Sequence, residues 1–151
     1  MSQISAEQVK SLREKTGLSM ADVKKALSEA GGDETKALEI LAARGGDIAA
    51  KKAGRELKAG IVDSYIHNNR QTGAMVELMC ETDFVARTDE FQALAHDIAM
   101  HITAMKPANL EELMAQPFIK DPEQTVSALL TKYIAKIGEN IQLARFESFE
   151  I

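Results

Sequence analysis

One cysteine and three histidines are the side chains best suited to nucleophilic or metal chemistry here: Cys80, His67, His96 and His101. His96 and His101 lie in one helix-period stretch but stand five positions apart, about 500° of helical rotation, so they face different ways. Two imidazoles that share a metal on a helix need the i,i+4 spacing. Cys80 beside any of the histidines would suggest a nucleophile and its base. Its place on the inward face of a strand instead makes it a buried, inert thiol. Carboxylates are plentiful but scattered, and neither a GxxxxGK[ST] nor a GxGxxG phosphate loop occurs. The sequence therefore argues against an enzyme and offers no metal ligands and no cofactor site.

The chemistry that remains is that of contact, and it centres on Cys80-Glu81-Thr82-Asp83-Phe84-Val85-Ala86. Before it, Ala74-Met75-Val76-Glu77-Leu78-Met79-Cys80 alternates, which predicts a strand with Ala74, Val76, Leu78 and Cys80 on one face. After it, Phe91, Leu94, Ile98 and Ile102 recur at helical spacing. The seven residues form a strand-to-helix corner, with Thr82 or Asp83 as helix cap. Phe84 has two readings there. It is a hydrophobic staple folded onto the first turn, or an aromatic held outward on a rigid corner to enter a partner's pocket.

The rest of the chain positions that corner. Ser5 with Gln8 forms a capping-box pattern before Val9 and Leu12, and Gly17 ends this helix. Ser19 with Asp22 starts a second, ended by Gly31-Gly32; Asp33 starts a third, with Ala37, Leu38 and Leu41 inward and Gly45-Gly46 as its end. Residues 1–46 thus form a three-helix module, thin in core. Residues 47–59, with Lys51, Lys52, Arg55 and Lys58, read as a basic, partly helical linker. Residues 60–151 read as an α+β core. Ile61–His67 and the strand ending at Cys80 form an antiparallel hairpin across a polar turn. Residues 110–120 read as irregular around Pro117. Asp121-Pro122-Glu123-Gln124 reads as a helix start, with an Asp cap and proline at the first helical position. Gly138 stops that helix, and Asn140–Glu147 reads as a third strand. The core is thus a small antiparallel three-stranded sheet covered by helices.

Composition bounds the class. At 151 residues, with 45% apolar and 27% charged residues, the chain has the length and balance of one ordinary folded domain or a small one joined to a medium one. No apolar run approaches the ~20 residues that span a membrane. Met1-Ser2-Gln3-Ile4-Ser5 lacks the basic start of a secretory signal. One cysteine fits a reducing compartment, so a cytoplasmic location is expected. A net charge of −5 argues against direct nucleic-acid binding, which needs a cationic face.

Thr82-Asp83-Phe84-Val85-Ala86 after a strand resembles the signature of the bacterial elongation factor Ts family, and Ala135-Lys136-Ile137-Gly138-Glu139-Asn140-Ile141 is similar to that family's second signature. Val9-Lys10-x-Leu12-Arg13-x-Lys15-Thr16-Gly17, Asp22-Val23-Lys24-Lys25-Ala26-Leu27 and Lys51-Lys52-Ala53-Gly54 match in family order. The resemblance implies an N-terminal module like ubiquitin-associated domains. It also implies a function: binding elongation factor Tu in its GDP form and promoting GDP release. Thr82, Asp83, Phe84 and Val85 would disturb the Mg²⁺ and phosphate side of the nucleotide site. Burying one phenylalanine is worth roughly 1.5–3 kcal/mol. Larger effects would need a distributed interface, with Arg13, Met20, Ile137, Gly138, Glu139 and Asn140 as further partner contacts.

Many family members are longer, with a duplicated core half and a helical hairpin, whereas the segment between the two signatures is short here. A homodimer paired through the core sheet is therefore expected, Met75 and Met79 lying on the uncovered face. The rival reading is a ubiquitin-associated-like adaptor that binds a protein without promoting nucleotide exchange.

Overall fold

The computed structural model describes residues 4–151; the start of the N-terminal segment, residues 1–3, lies outside the described residues. The chain divides into two compact units. One runs to Ala53 and takes in Thr131–Gly138; the other comprises Gly54–Leu130 and Glu139–Ile151.

The first unit is built from α1 (Ala6–Thr16), α2 (Met20–Glu29) and α3 (Glu34–Lys52). Local capping sets where each begins. The Ser5 hydroxyl accepts from the Gln8 N–H at 3.1 Å while the Gln8 side chain accepts from the Ser5 N–H at 3.0 Å, so both halves of the capping box form. Ser19 and Asp33 accept from the N–H groups of Asp22 and Lys36, each at 3.1 Å. Gly17 ends α1 at φ 68°, a left-handed position that glycine occupies without strain. Val9, Leu12, Val23, Leu27, Ala37 and Leu41 form the core, with Ala135 packed against it.

The expected end of α3 at Gly45-Gly46 is wrong: the helix continues to Lys52. Each helical glycine costs about 1 kcal/mol relative to alanine. The following Ile48-Ala49-Ala50-Lys51-Lys52 favours helix, and Gly45 is buried where an added Cβ would stand 3.7 Å from that of Ala135.

The second unit holds β1 (Ala59–Ile66), β2 (Thr72–Cys80), α4 (Asp83–Ala86), α5 (Asp89–Met105), α6 (Leu110–Ala115), β3 (Pro117–Phe118), β4 (Asp121–Thr125), the start of α7 (Val126–Ile137) and β5 (Gln142–Glu150). A three-stranded antiparallel sheet has the order β1-β2-β5. Its pairing puts Ala74, Val76, Leu78 and Cys80 inward, where all four are buried. α5 covers that face with Phe91, Leu94, Ile98 and Ile102. Leu78 pairs with Leu143 and Glu77 with Arg145, leaving Ala144 as an extra residue in β5, a bulge.

Three local expectations are corrected. The corner does not open directly into one long helix. Thr82 caps the single turn α4, and Thr88 then caps α5 separately. Residues 110–120 are not irregular, because Asn109 caps α6. Asp121-Pro122-Glu123-Gln124 does not start a helix; it forms β4, paired with β3. The true start is Val126, with the Thr125 hydroxyl accepting from the Ala128 N–H at 3.1 Å. Proline is tolerated in so short a pairing because it needs no inward ladder donor there.

His101 explains why the hairpin wins. It is fully buried on α5, stacked on Phe118 with ring centroids 5.8 Å apart. Its Nδ1 accepts from the Ile119 N–H at 3.1 Å, so Nε2 carries the proton and donates to Gln116 Oε1 at 2.9 Å. A neutral imidazole thereby fastens the β3–β4 turn to α5. His96 on the same helix is exposed and faces Asp63, 3.6 Å away, so the two histidines do diverge. Burial pushes the His101 pKa below its ordinary 6.5, opposed by the Gln116 bond. A depressed folded-state pKa contributes stability that is present above the unfolded value and lost as pH falls through the folded one. Urea unfolding should therefore show stability falling below about pH 6.5 in the wild type and falling less steeply in His101→Gln. Parallel pH profiles would contradict this assignment.

Candidate functional site

The corner after β2 is held on every side. Thr82 is extended, at φ −127° and ψ 149°, and its hydroxyl accepts from the Val85 N–H at 3.3 Å to cap α4. Asp83 follows in the first turn, where a negative charge favours the helix N-terminus. Val85 and Ala86 are buried and anchor the turn to its own unit. Beyond them, the Thr88 hydroxyl donates to the Val85 carbonyl at 2.8 Å and accepts from the Phe91 N–H at 3.3 Å. Phe84 stands between these fixed points and is 83% exposed. The staple reading therefore fails, because the ring is left largely in solvent.

A second clamp comes from far along the chain. One carboxylate oxygen of Glu139 accepts from the backbone N–H groups of Glu81 and Thr82, both at 3.0 Å; the other accepts from the Thr82 hydroxyl at 2.7 Å. In return Glu81 accepts from the Asn140 N–H at 3.0 Å and lies 3.6 Å from the Arg55 guanidinium. The Asn140 side chain, buried, donates to the Arg55 carbonyl at 2.9 Å. Sequence reasoning placed Glu139 and Asn140 in the site but missed Glu81 and Arg55. No local pattern signals them, since their contacts join residues far apart in the chain, from the Arg55–Glu81 pair to the bond 85 positions long between Asn140 and Arg55.

The remaining residues named from the sequence lie in the first unit. Gly138 ends α7 at φ 86°, its N–H donating to the Ile134 carbonyl at 2.9 Å, and Ile137 is half-buried before it. Arg13 and Met20 share an open groove of about 590 Å³ with Val9, Lys10 and Lys24. Met20 is 49% exposed. The groove is apolar with a cationic rim, as a contact surface for an amphipathic acidic segment would be. Among the described residues no three His, Cys, Asp or Glu side chains converge as metal ligands, and no helix is long and apolar enough to cross a membrane.

The family profile described as Elongation factor TS matches residues 81–151. An elongation factor Ts from Carboxydothermus hydrogenoformans is 44% identical, with 98% of this chain and 89% of the relative covered. One from Fervidobacterium nodosum is 42% identical, covering 99% and 98%. The chain belongs to the elongation factor Ts family. That makes it a translation elongation factor rather than an enzyme. An elongation factor Ts from Aquifex aeolicus is 49% identical over 148 residues but only 51% covered, so the family includes members about twice as long. The Carboxydothermus alignment runs over 193 positions against the 151 residues of this chain, so that relative carries extra residues within the aligned span.

Cys80 sits beneath the corner, fully buried, its thiol donating to the Thr82 carbonyl at 3.3 Å. Burial first, then the Glu139 charge, raises its pKa above the ordinary 9.0, so the nucleophilic thiolate is suppressed. Alkylation by iodoacetamide at neutral pH should be slower in the folded chain than in urea by roughly a hundredfold, since it requires local opening. Equal rates would show the thiol to be accessible.

Proposed function

We propose that this chain binds the GDP form of elongation factor Tu in the bacterial cytoplasm and speeds GDP release. In this reading Phe84, with Asp83 beside it, enters the Mg²⁺ and phosphate side of the nucleotide site. The observation that carries the reading is the exposed Phe84 ring on a tied corner in a member of the elongation factor Ts family. The ring is available, because folding has not buried it, and directed, because the backbone on both sides is fixed.

The physical sequence is short. Mg²⁺ requires near-ideal octahedral oxygen coordination, so small displacements of its ligands and waters weaken it sharply. Once the ion is loosened, phosphate charge is no longer neutralised and GDP dissociates faster. Coupling is reciprocal, so GDP weakens binding of the factor by the same ratio that the factor weakens GDP. Arg13 and Met20 in their groove supply a second contact in this reading, which spreads the binding energy beyond one side chain. Val85, whose side chain faces its own core, contributes by holding the turn.

The finer partner reading is a homodimer through the core sheet. The face opposite α5 carries Val62, Ile66, Met75 and Phe149, all exposed. Ile66 lies over Gly73, where an added Cβ would come within 2.7 Å of it. A Glu77–Arg145 pair at 2.7 Å sits in the same face. A face with this apolar cluster, one internal ion pair and Glu147 opposite Met75 suits a second copy related by a two-fold axis.

Phe84→Ala should slow stimulated release of a fluorescent GDP by about ten- to hundredfold, given the ~1.5–3 kcal/mol in a buried phenylalanine. Its far-UV circular dichroism should remain that of the wild type. Release at the wild-type rate would remove Phe84 from the mechanism. Light scattering at micromolar concentration should report twice the chain mass, and a Met75→Lys variant should halve it. A wild-type monomer with full exchange activity would exclude the dimer.

A further inference from the structure

Glu139 belongs to a segment expected to touch the partner, yet its own bonds point elsewhere. Both carboxylate oxygens are engaged, and all three donors belong to the corner: the N–H groups of Glu81 and Thr82 and the Thr82 hydroxyl. Charge-assisted bonds of this kind are about twice as strong as neutral ones. The side chain is half-buried, and three of the roughly four lone-pair sites of its carboxylate are already taken by the corner.

The aim of this carboxylate is fixed by what surrounds it in sequence. Gly138 leaves α7 in the left-handed region at φ 86°, a turn that a side chain would strain. On the other side, the Asn140 N–H is held by Glu81 and its side chain by the Arg55 carbonyl. Residues 81–82 and 139–140 thus exchange backbone-to-carboxylate bonds in both directions. Each carboxylate accepts backbone N–H bonds from the other's segment, and Glu81 also faces the Arg55 guanidinium, a geometry that locks the two backbones together.

We propose that Glu139 is a positioning residue for nucleotide exchange: it fixes the backbone that carries Phe84 and makes no contact with elongation factor Tu. This rests on the reading of Phe84 given above. It assigns the second signature a task inside the chain, supporting the first.

Four variants of the full chain test it: Glu139→Ala, Glu139→Gln, Phe84→Ala and the Glu139→Ala/Phe84→Ala double. The readout is stopped-flow release of fluorescent GDP from elongation factor Tu over a range of factor concentrations, which separates maximal rate from half-saturating concentration. Glu139→Ala should lower the maximal rate about tenfold, as two amides and a hydroxyl lose their acceptor. It should also speed hydrogen exchange at the Glu81 and Thr82 amides. Glu139→Gln keeps an oxygen for both amides and should stay within about threefold of wild type, with those amides still protected. In the Phe84→Ala background, Glu139→Ala should lower the rate by less than about twofold, because both changes remove the same action.

Fully additive losses would overturn the proposal. So would a Glu139→Gln variant as impaired as Glu139→Ala while its corner amides remain protected, for then the charge itself meets the partner. If Glu139→Ala does not fold, Glu139→Asp, which keeps the charge but shortens the reach, replaces it in the same cycle: losses that vanish in the Phe84→Ala background support the proposal, and additive losses overturn it. A Phe84→Ala single variant at wild-type rate would instead sink the exchange mechanism itself, and this inference with it.

Discussion

Phe84 stays in water because the backbone on either side of it has no freedom to bury it. Thr82 caps the turn and is gripped by Glu139, while Val85 and Ala86 are sunk in the core and Thr88 closes the far side. A free loop carrying phenylalanine would collapse onto the nearest apolar surface, a gain of roughly 1.5–3 kcal/mol. The hydrogen bonds around the corner forbid that collapse. The rest of the fold supports this one constraint: β2 delivers the chain to the corner, α5 takes it away, and the turn after α7 returns Glu139 and Asn140 to fasten it.

In the proposed mechanism, rigidity determines what the ring can do to a partner. An aromatic that must first be ordered spends part of its contact energy on its own immobilisation. One already ordered can direct that energy against the geometry of a metal site, where small displacements matter most. The same logic explains the thiol beneath the corner. Cys80 fills space, donates to the Thr82 carbonyl and is held neutral by burial and by Glu139, so it packs without reacting.

What the sequence made legible follows the range of the interactions. Ser5, Ser19 and Asp33 cap helices through bonds three residues away, and all three could be read directly. The alternation from Ala74 to Cys80 and the spacing of Phe91, Leu94, Ile98 and Ile102 record one-sided burial, and these too were readable. Asp121-Pro122 misled because its local chemistry is that of a helix start. A histidine on α5 and the bond from the Val126 N–H to the Gln116 carbonyl at 3.0 Å impose the hairpin instead. Gly45-Gly46 misled in the same way, its local weakness overridden by flanking helix formers. The corner itself was visible as a strand-to-helix turn, but whether Phe84 faced in or out was not. The backbone before it is held by Glu139, whose partners lie 57 to 58 positions back.

The most direct measurement of the central claim is the maximal rate of GDP release from elongation factor Tu as a function of free Mg²⁺, for the wild type and for Phe84→Ala. If the ring acts by loosening the ion, the two proteins should differ by about ten- to hundredfold in excess Mg²⁺ and converge when a chelator removes it. A gap of unchanged size without the ion would contradict the account, because Phe84 would then be promoting release by a route that does not pass through the metal.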